Sequence, residues 1–304
     1  MKKHKKIIIT TGDPNGIGAE VTVKALKKFD RDNFVIISNK KLLGFTPDIE
    51  IPFDGEINFG KISKNGGEFS YQSLKKTCEL AKTDEYSAIV TAPVSKEALH
   101  LAGYNFNGQT EILEYFLSHD TQKAEMLFVA EDFRVLLLTR HVGLKEINLT
   151  KELIINKIQN LNKFLKEKLN IENPKIAICA FNPHAGENGL FGMEEQDIII
   201  PAVKELSQKG FDITNPLPAD TLFVKAGKNY LKGEKVPYDC YIACYHDQGL
   251  IPIKTLASDK CVNTTIGLDI IRTSPAHRTA FDIAGKGVAN ESSMVEAIRQ
   301  APLY

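Results

Sequence analysis

Short runs of apolar, largely β-branched residues recur along the chain at 7–11, 34–38, 87–91, 126–130, 135–139, 175–180 and 240–245. Their brevity and weak alternation match strands buried on both faces, as in a parallel sheet covered by helices. Stretches with helical spacing lie between several of them. In 151–169, Ile154, Ile158, Leu161, Leu165 and Leu169 repeat every three to four residues while Lys and Asn fill the other side, so one stripe faces a core. Strands alternating with helices predict an α/β protein. Only Glu131-Asp132-Phe133-Arg134 separates 126–130 from 135–139. That link is too short for a helix, so it predicts an antiparallel hairpin and a mixed, mostly parallel sheet. The polar, Gly- and Lys-rich stretches 55–67 and 225–237 read as surface loops.

Charge and composition narrow the partners. Lys plus Arg and Asp plus Glu both number 38 in 304 residues, which gives no basic footprint for nucleic acid or an anionic membrane. An anionic substrate therefore needs a local basic pocket. The start Met1-Lys2-Lys3-His4-Lys5-Lys6 leads into 7–11, and Gly12-Asp13-Pro14 ends that apolar run too early for a signal peptide or a membrane span. The cysteines Cys78, Cys179, Cys240, Cys244 and Cys261 sit mostly in apolar runs, as expected of reduced, buried thiols in a cytoplasmic protein. Cys240 and Cys244 read as core rather than as a metal pair.

The most informative feature is the siting of three histidines. His141 follows 135–139, His184 follows 175–180 within Asn182-Pro183-His184-Ala185-Gly186-Glu187, and His246 follows 240–245. Ligand crevices in open α/β sheets lie outside the carboxyl ends of strands. Three imidazoles are also the protein ligand count of a catalytic divalent site with an open position. The plain alternative is that each is a hydrogen-bonding loop residue. Asp247 stands beside His246, placed either to orient its ring or to touch a substrate. Thr110, in Gly108-Gln109-Thr110-Glu111, is expected to cap a helix beginning near Ile112 and to offer N–H donors to an anion. Gly12-Asp13-Pro14-Asn15-Gly16-Ile17-Gly18 lacks the spacing of the dinucleotide fingerprint, so no cofactor contact is assigned from it.

Gly12–Gly18, Asn182–Glu187, Leu217-Pro218-Ala219-Asp220-Thr221-Leu222-Phe223, Tyr245-His246-Asp247-Gln248-Gly249-Leu250 and Ile271-Arg272-Thr273-Ser274 occur in this order. The ordered set resembles the 4-hydroxythreonine-4-phosphate dehydrogenase (PdxA) family across essentially the whole chain. The resemblance implies two α/β/α domains of the isocitrate and isopropylmalate dehydrogenase type, with the active site in the cleft: 1–112 plus 264–304, and 113–263 carrying the histidines. It implies His141, His184 and His246 as ligands of one divalent metal (zinc, magnesium or cobalt), formed at a homodimer interface. It implies Gln109, Thr110, Lys254, Asn263 and Arg272 as substrate-binding residues, and NAD or NADP as cofactor. Gln109 departs from the family, which usually has His there, and so loses any ionic contact. Asp220, Asp247 and Lys254 are the candidates for catalytic groups.

The implied reaction oxidises the secondary alcohol of 4-phosphooxy-L-threonine, with decarboxylation to 3-amino-2-oxopropyl phosphate, in pyridoxal 5'-phosphate (vitamin B6) biosynthesis. The alternatives are a sister dehydrogenase for D-threonate or D-erythronate 4-phosphate, a three-histidine metal hydrolase, and a metabolite-binding protein without turnover.

Overall fold

The computed structural model describes residues 5–119 and 122–303. Residues 1–4 of the basic start, His4 among them, lie outside the described residues. Two compact units emerge: unit 1 from Met1–Ala124 with Val262–Tyr304, and unit 2 from Glu125–Cys261. Unit 1 begins with β1 (Lys6–Thr10), α1 (Gly18–Leu26), β2 (Phe34–Ser38), α2 (Lys40–Leu43), β3 (Ile49–Glu50), α3 (Lys64–Ala81), β4 (Tyr86–Thr91), α4 (Lys96–Leu101) and α5 (Gln109–Leu117). Unit 2 holds β5 (Glu125–Ala130), β6 (Phe133–Leu137), α6 (Lys151–Glu167), β7 (Lys175–Ile178), α7 (Ile200–Gln208), β8 (Asp212–Ile213), α8 (Ala219–Lys232), β9 (Cys240–Ala243) and α9 (His246–Ala257). The chain returns to unit 1 as β10 (Val262–Ile266), β11 (Ile271–Pro275) and α10 (Ser292–Gln300).

In unit 1 the strand order is β3-β2-β1-β4-β11-β10, parallel except for the β10–β11 pair. Successive strand residues point to opposite faces, and both faces are covered. Ile7, Ile9, Phe34, Ile36, Ala88 and Val90 pack with Val21 and Ala25 of α1 and Met294 and Ile298 of α10. Ile8, Ile37 and Ile89 pack on the other side with Phe69 of α3 and Leu113 and Leu117 of α5. This core holds α5 in unit 1.

In unit 2 the order is β5-β6-β9-β7-β8. The β5–β6 hairpin is antiparallel and the other neighbours are parallel. Its turn is tighter than the sequence suggested. Phe133 and Arg134 already pair with Ala130 and Val129, leaving Glu131, with φ 58°, and Asp132 to turn. The loop expected over 225–237 is corrected as well, because α8 runs to Lys232. Leu222, Phe223, Ala226 and Gly227 form its buried stripe, and the lysines that resembled a loop are its solvated side. Likewise the loop expected over 55–67 ends where α3 begins at Lys64, capped by Ser63.

Candidate active site

The three histidines leave three neighbouring strands of unit 2. β6 lies against β9 with Leu137 opposite Ala243, and the pairing continues as Thr139 donates to the Cys244 carbonyl through both its N–H and its hydroxyl. His141 and His246 each follow that clamp by two residues, so their rings emerge side by side with centroids 5.5 Å apart. β7 flanks β9 on its other side, with Ile178 opposite Ile242, and leads to His184. Gln248 ties the two ends together: its Oε1 accepts from Cys244 N at 2.7 Å and its Nε2 donates to Ala180 O at 2.8 Å. The sequence motif contained Gln248 without showing this bridge, which depends on strand order.

His246 Nδ1 lies 2.6 Å from Asp247 Oδ1. A carboxylate on Nδ1 fixes the ring and leaves Nε2 for a ligand. Metal–nitrogen bonds of about 2 Å in a tetrahedral site put two ligating ring centroids roughly 5 Å apart, a spacing that the His141 and His246 rings match. His184 does not join them: among the described residues there is no group of three His, Cys, Asp or Glu side chains that holds a metal. One chain thus presents two of the three expected imidazoles together.

His184 sits in an unusual backbone. His184, Ala185, Gly186, Glu187 and Asn188 all have positive φ, between 41° and 75°. Left-handed helical geometry costs about 1–2 kcal/mol for each non-glycine residue, so surrounding contacts must hold it. Glu195, 2% exposed, does so through its carboxylate. Oε1 accepts from Phe181 N and Asn182 N, both at 2.8 Å, and Oε2 accepts from Asn182 Nδ2 at 3.0 Å. No local pattern marks this residue's role, because its partners lie thirteen and fourteen positions upstream.

The remaining candidates divide between the units. Arg272, in β11 of unit 1, is 3% exposed. Its Nε donates to Thr91 Oγ1 at 2.8 Å, and burial pushes the guanidinium down to about 9. Thr110 is buried in the first turn of α5, where Gly108 rather than Thr110 occupies the cap position. The expected threonine cap is therefore corrected: the helix begins three residues earlier, at Gln109. Gln109 Nε2 donates to the Ala92 carbonyl at 3.0 Å, which accepts only. Its buried Oε1 has no partner, so Gln109 offers an acceptor. Asn263 Oδ1 is also buried without a partner. In unit 2, Lys254 is half-buried on α9 and Asp220 is exposed in the first turn of α8. Asp13, in the glycine loop of unit 1, was not assigned a role from sequence. Burial pushes its carboxyl up to about 6 against the N–H groups of Asn15 and Ser95.

Residues 4–301 match the family model of the pyridoxal phosphate biosynthetic protein PdxA. A 4-hydroxythreonine-4-phosphate dehydrogenase from a Sulfurihydrogenibium species is 39% identical over 325 residues, covering 98% of both chains. A protein named putative D-threonate 4-phosphate dehydrogenase from Oceanobacillus iheyensis is 37% identical, covering 99% of this chain and 98% of its own. The crystal structure of a 4-hydroxythreonine-4-phosphate dehydrogenase from Klebsiella pneumoniae superposes with a TM-score of 0.83 at 34% identity, covering 98% of this chain and 97% of the other. A β-decarboxylating dehydrogenase from Thermococcus kodakarensis shares the fold, with a TM-score of 0.54 at 16% identity over 97% of this chain and 82% of that one.

Proposed function

The chain belongs to the PdxA family of pyridoxal phosphate biosynthesis, and we propose that it is a metal-dependent, NAD- or NADP-linked dehydrogenase of 4-phosphooxy-L-threonine, forming 3-amino-2-oxopropyl phosphate by oxidation and decarboxylation. The observation that carries the chemistry is the His141–His246 pair, spaced for one divalent ion. His184 is the third ligand in this reading, supplied when two copies of the chain meet. Exposed apolar side chains follow each histidine: Leu144 (68%), Leu190 (72%) and Ile251 (64%). Large apolar side chains exposed near the histidines in sequence would gain from burial against a partner surface, which is consistent with a homodimer. The two compact units serve as the two domains, and the five buried thiols suit a cytoplasmic enzyme.

A bound divalent ion would polarise the substrate's oxygens and lower the pKa of its alcohol, and the nicotinamide would accept the hydride. The protein supplies the rest. Asp247, beside Nδ1 of His246, would favour the tautomer that keeps Nε2 unprotonated for a ligand, and Gln248 fixes the start of α9 against the end of β7. Arg272, Thr110, Asn263 and Lys254 bind the phosphorylated substrate. Arg272 is already desolvated, so it meets an anion without first losing much hydration. The Gln109 Oε1 acceptor suits a hydroxyl or ammonium hydrogen rather than a phosphate oxygen. Asp247 and Asp220 are the proton-transfer candidates. Asp247 is the stronger, through its contact with His246.

The second reading is D-threonate 4-phosphate oxidation, favoured by the Oceanobacillus relative. Reduced-nicotinamide formation, followed with each of the two phosphorylated substrates, separates the readings. The proposal expects the higher kcat/KM with 4-phosphooxy-L-threonine. A higher value with D-threonate 4-phosphate would transfer the assignment, and turnover of a phosphorylated substrate without cofactor reduction would favour a hydrolase.

A further inference from the structure

We propose that Glu195 is a positioning residue for metal binding, holding the chain from Phe181 to Gly186 in the backbone that presents His184. The inference rests on the reading of His184 as a metal ligand. A carboxylate 2% exposed is unfavourable to bury unless its oxygens are satisfied. Here the partners are N–H groups at the entrance to the left-handed run: Phe181 N and Asn182 N on one oxygen, the Asn182 amide on the other. Asn182 Nδ2 also donates to Glu194 at 2.6 Å, so two adjacent acids hold one side chain. The loop closes over the same carboxylate. A methyl group at Gly186 would lie 2.6 Å from Glu195 Oε2, and Phe191 N donates back to the Gly186 carbonyl at 3.2 Å.

The element carrying Glu195 is itself irregular. Glu195–Ile199 forms a π-helical turn closed by Ile200 N–H on the Glu195 carbonyl, immediately before Pro201, which has no N–H to continue an α-helical ladder. Glu195 thus fixes the backbone on both sides of Pro183 and His184: it binds N–H groups just before them and packs on Gly186 just after. Loss of the carboxylate frees Phe181 and Asn182, and the left-handed residues relax toward ordinary φ. The His184 imidazole then loses its fixed direction.

A purely structural staple would change thermal stability without altering metal coordination in the folded protein. Titration of the metal-free, full-length protein with Co²⁺ alone, read by its visible absorption, distinguishes the two. Glu195→Ala is expected to weaken Co²⁺ binding about tenfold or more, the usual effect of removing a residue that orients a ligand, and to shift the absorption band. Glu195→Gln keeps an oxygen for the two backbone N–H groups and should recover a substantial part of that affinity. Gly186→Ala, which pushes on the carboxylate, should resemble Glu195→Ala; it and Glu195→Gln decide the matter if Glu195→Ala does not fold. Folded Glu195→Ala or Gly186→Ala protein with wild-type affinity and spectrum would overturn the role of Glu195. Wild-type protein that binds no Co²⁺ would instead remove the metal reading, and this proposal with it.

Discussion

Arg272 sets burial against charge in one side chain. Its guanidinium is pushed down to about 9 by desolvation, against an ordinary value near 12.5. A base whose folded pKa lies below its unfolded pKa costs stability throughout the range below about 9, and the cost is relieved only as pH rises from there toward 12.5. At neutral pH the charge is therefore a liability to folding, which the proposed role in holding the phosphorylated substrate would account for. Arg272→Met should raise KM for the phosphorylated substrate about 10- to 100-fold, the range for losing a charge-assisted hydrogen bond. Its thermal midpoint at pH 7 should not fall. Lower stability with unchanged KM would instead make Arg272 a structural residue. The sequence shows that Arg272 ends an apolar run; the Thr91 hydroxyl that receives it is 181 residues away, and only the β4–β11 pairing brings them together.

The strands were legible because apolar runs need no distant partner to be recognised, and the histidines at their carboxyl ends were legible for the same reason. What local pattern hides is contact between elements. Gly249 is an example. A methyl group there would lie 2.7 Å from Leu137 Cδ2 and 2.8 Å from both Ala243 Cβ and Val135 Cγ1. The missing side chain lets α9, which begins at His246, rest directly on β6 and β9. Gly249→Ala should cost about 1–3 kcal/mol by overpacking, seen as a lower urea midpoint. It should also weaken divalent-ion binding, because lifting the first turn of α9 separates His246 from His141. Lower stability with unaltered metal affinity would show that the ring spacing does not depend on this packing. The left-handed run at His184 was hidden for a similar reason: Asn182-Pro183-His184-Ala185-Gly186 announces a turn, but the carboxylate that sustains it comes from Glu195. The lysine-rich 225–232 segment misled in the opposite direction, its charges concealing the helical stripe that Phe223 and Ala226 bury.

For the molecule as a whole, the α/β class followed from the alternation of strands and helices, and the antiparallel β5–β6 pair from the length of one link. Where one compact unit ends was less legible, because the assignment of α5 depends on Leu113 and Leu117 meeting Ile8 and Ile89, contacts that no local spacing records. The proposed chemistry needs one divalent ion per chain, completed when two chains assemble. Reduced-nicotinamide formation from 4-phosphooxy-L-threonine should therefore be followed before metal removal, after it, and after stepwise return of a divalent ion. The account predicts that the rate disappears on removal and returns in full near one equivalent per chain. An undiminished rate in protein freed of metal would contradict it.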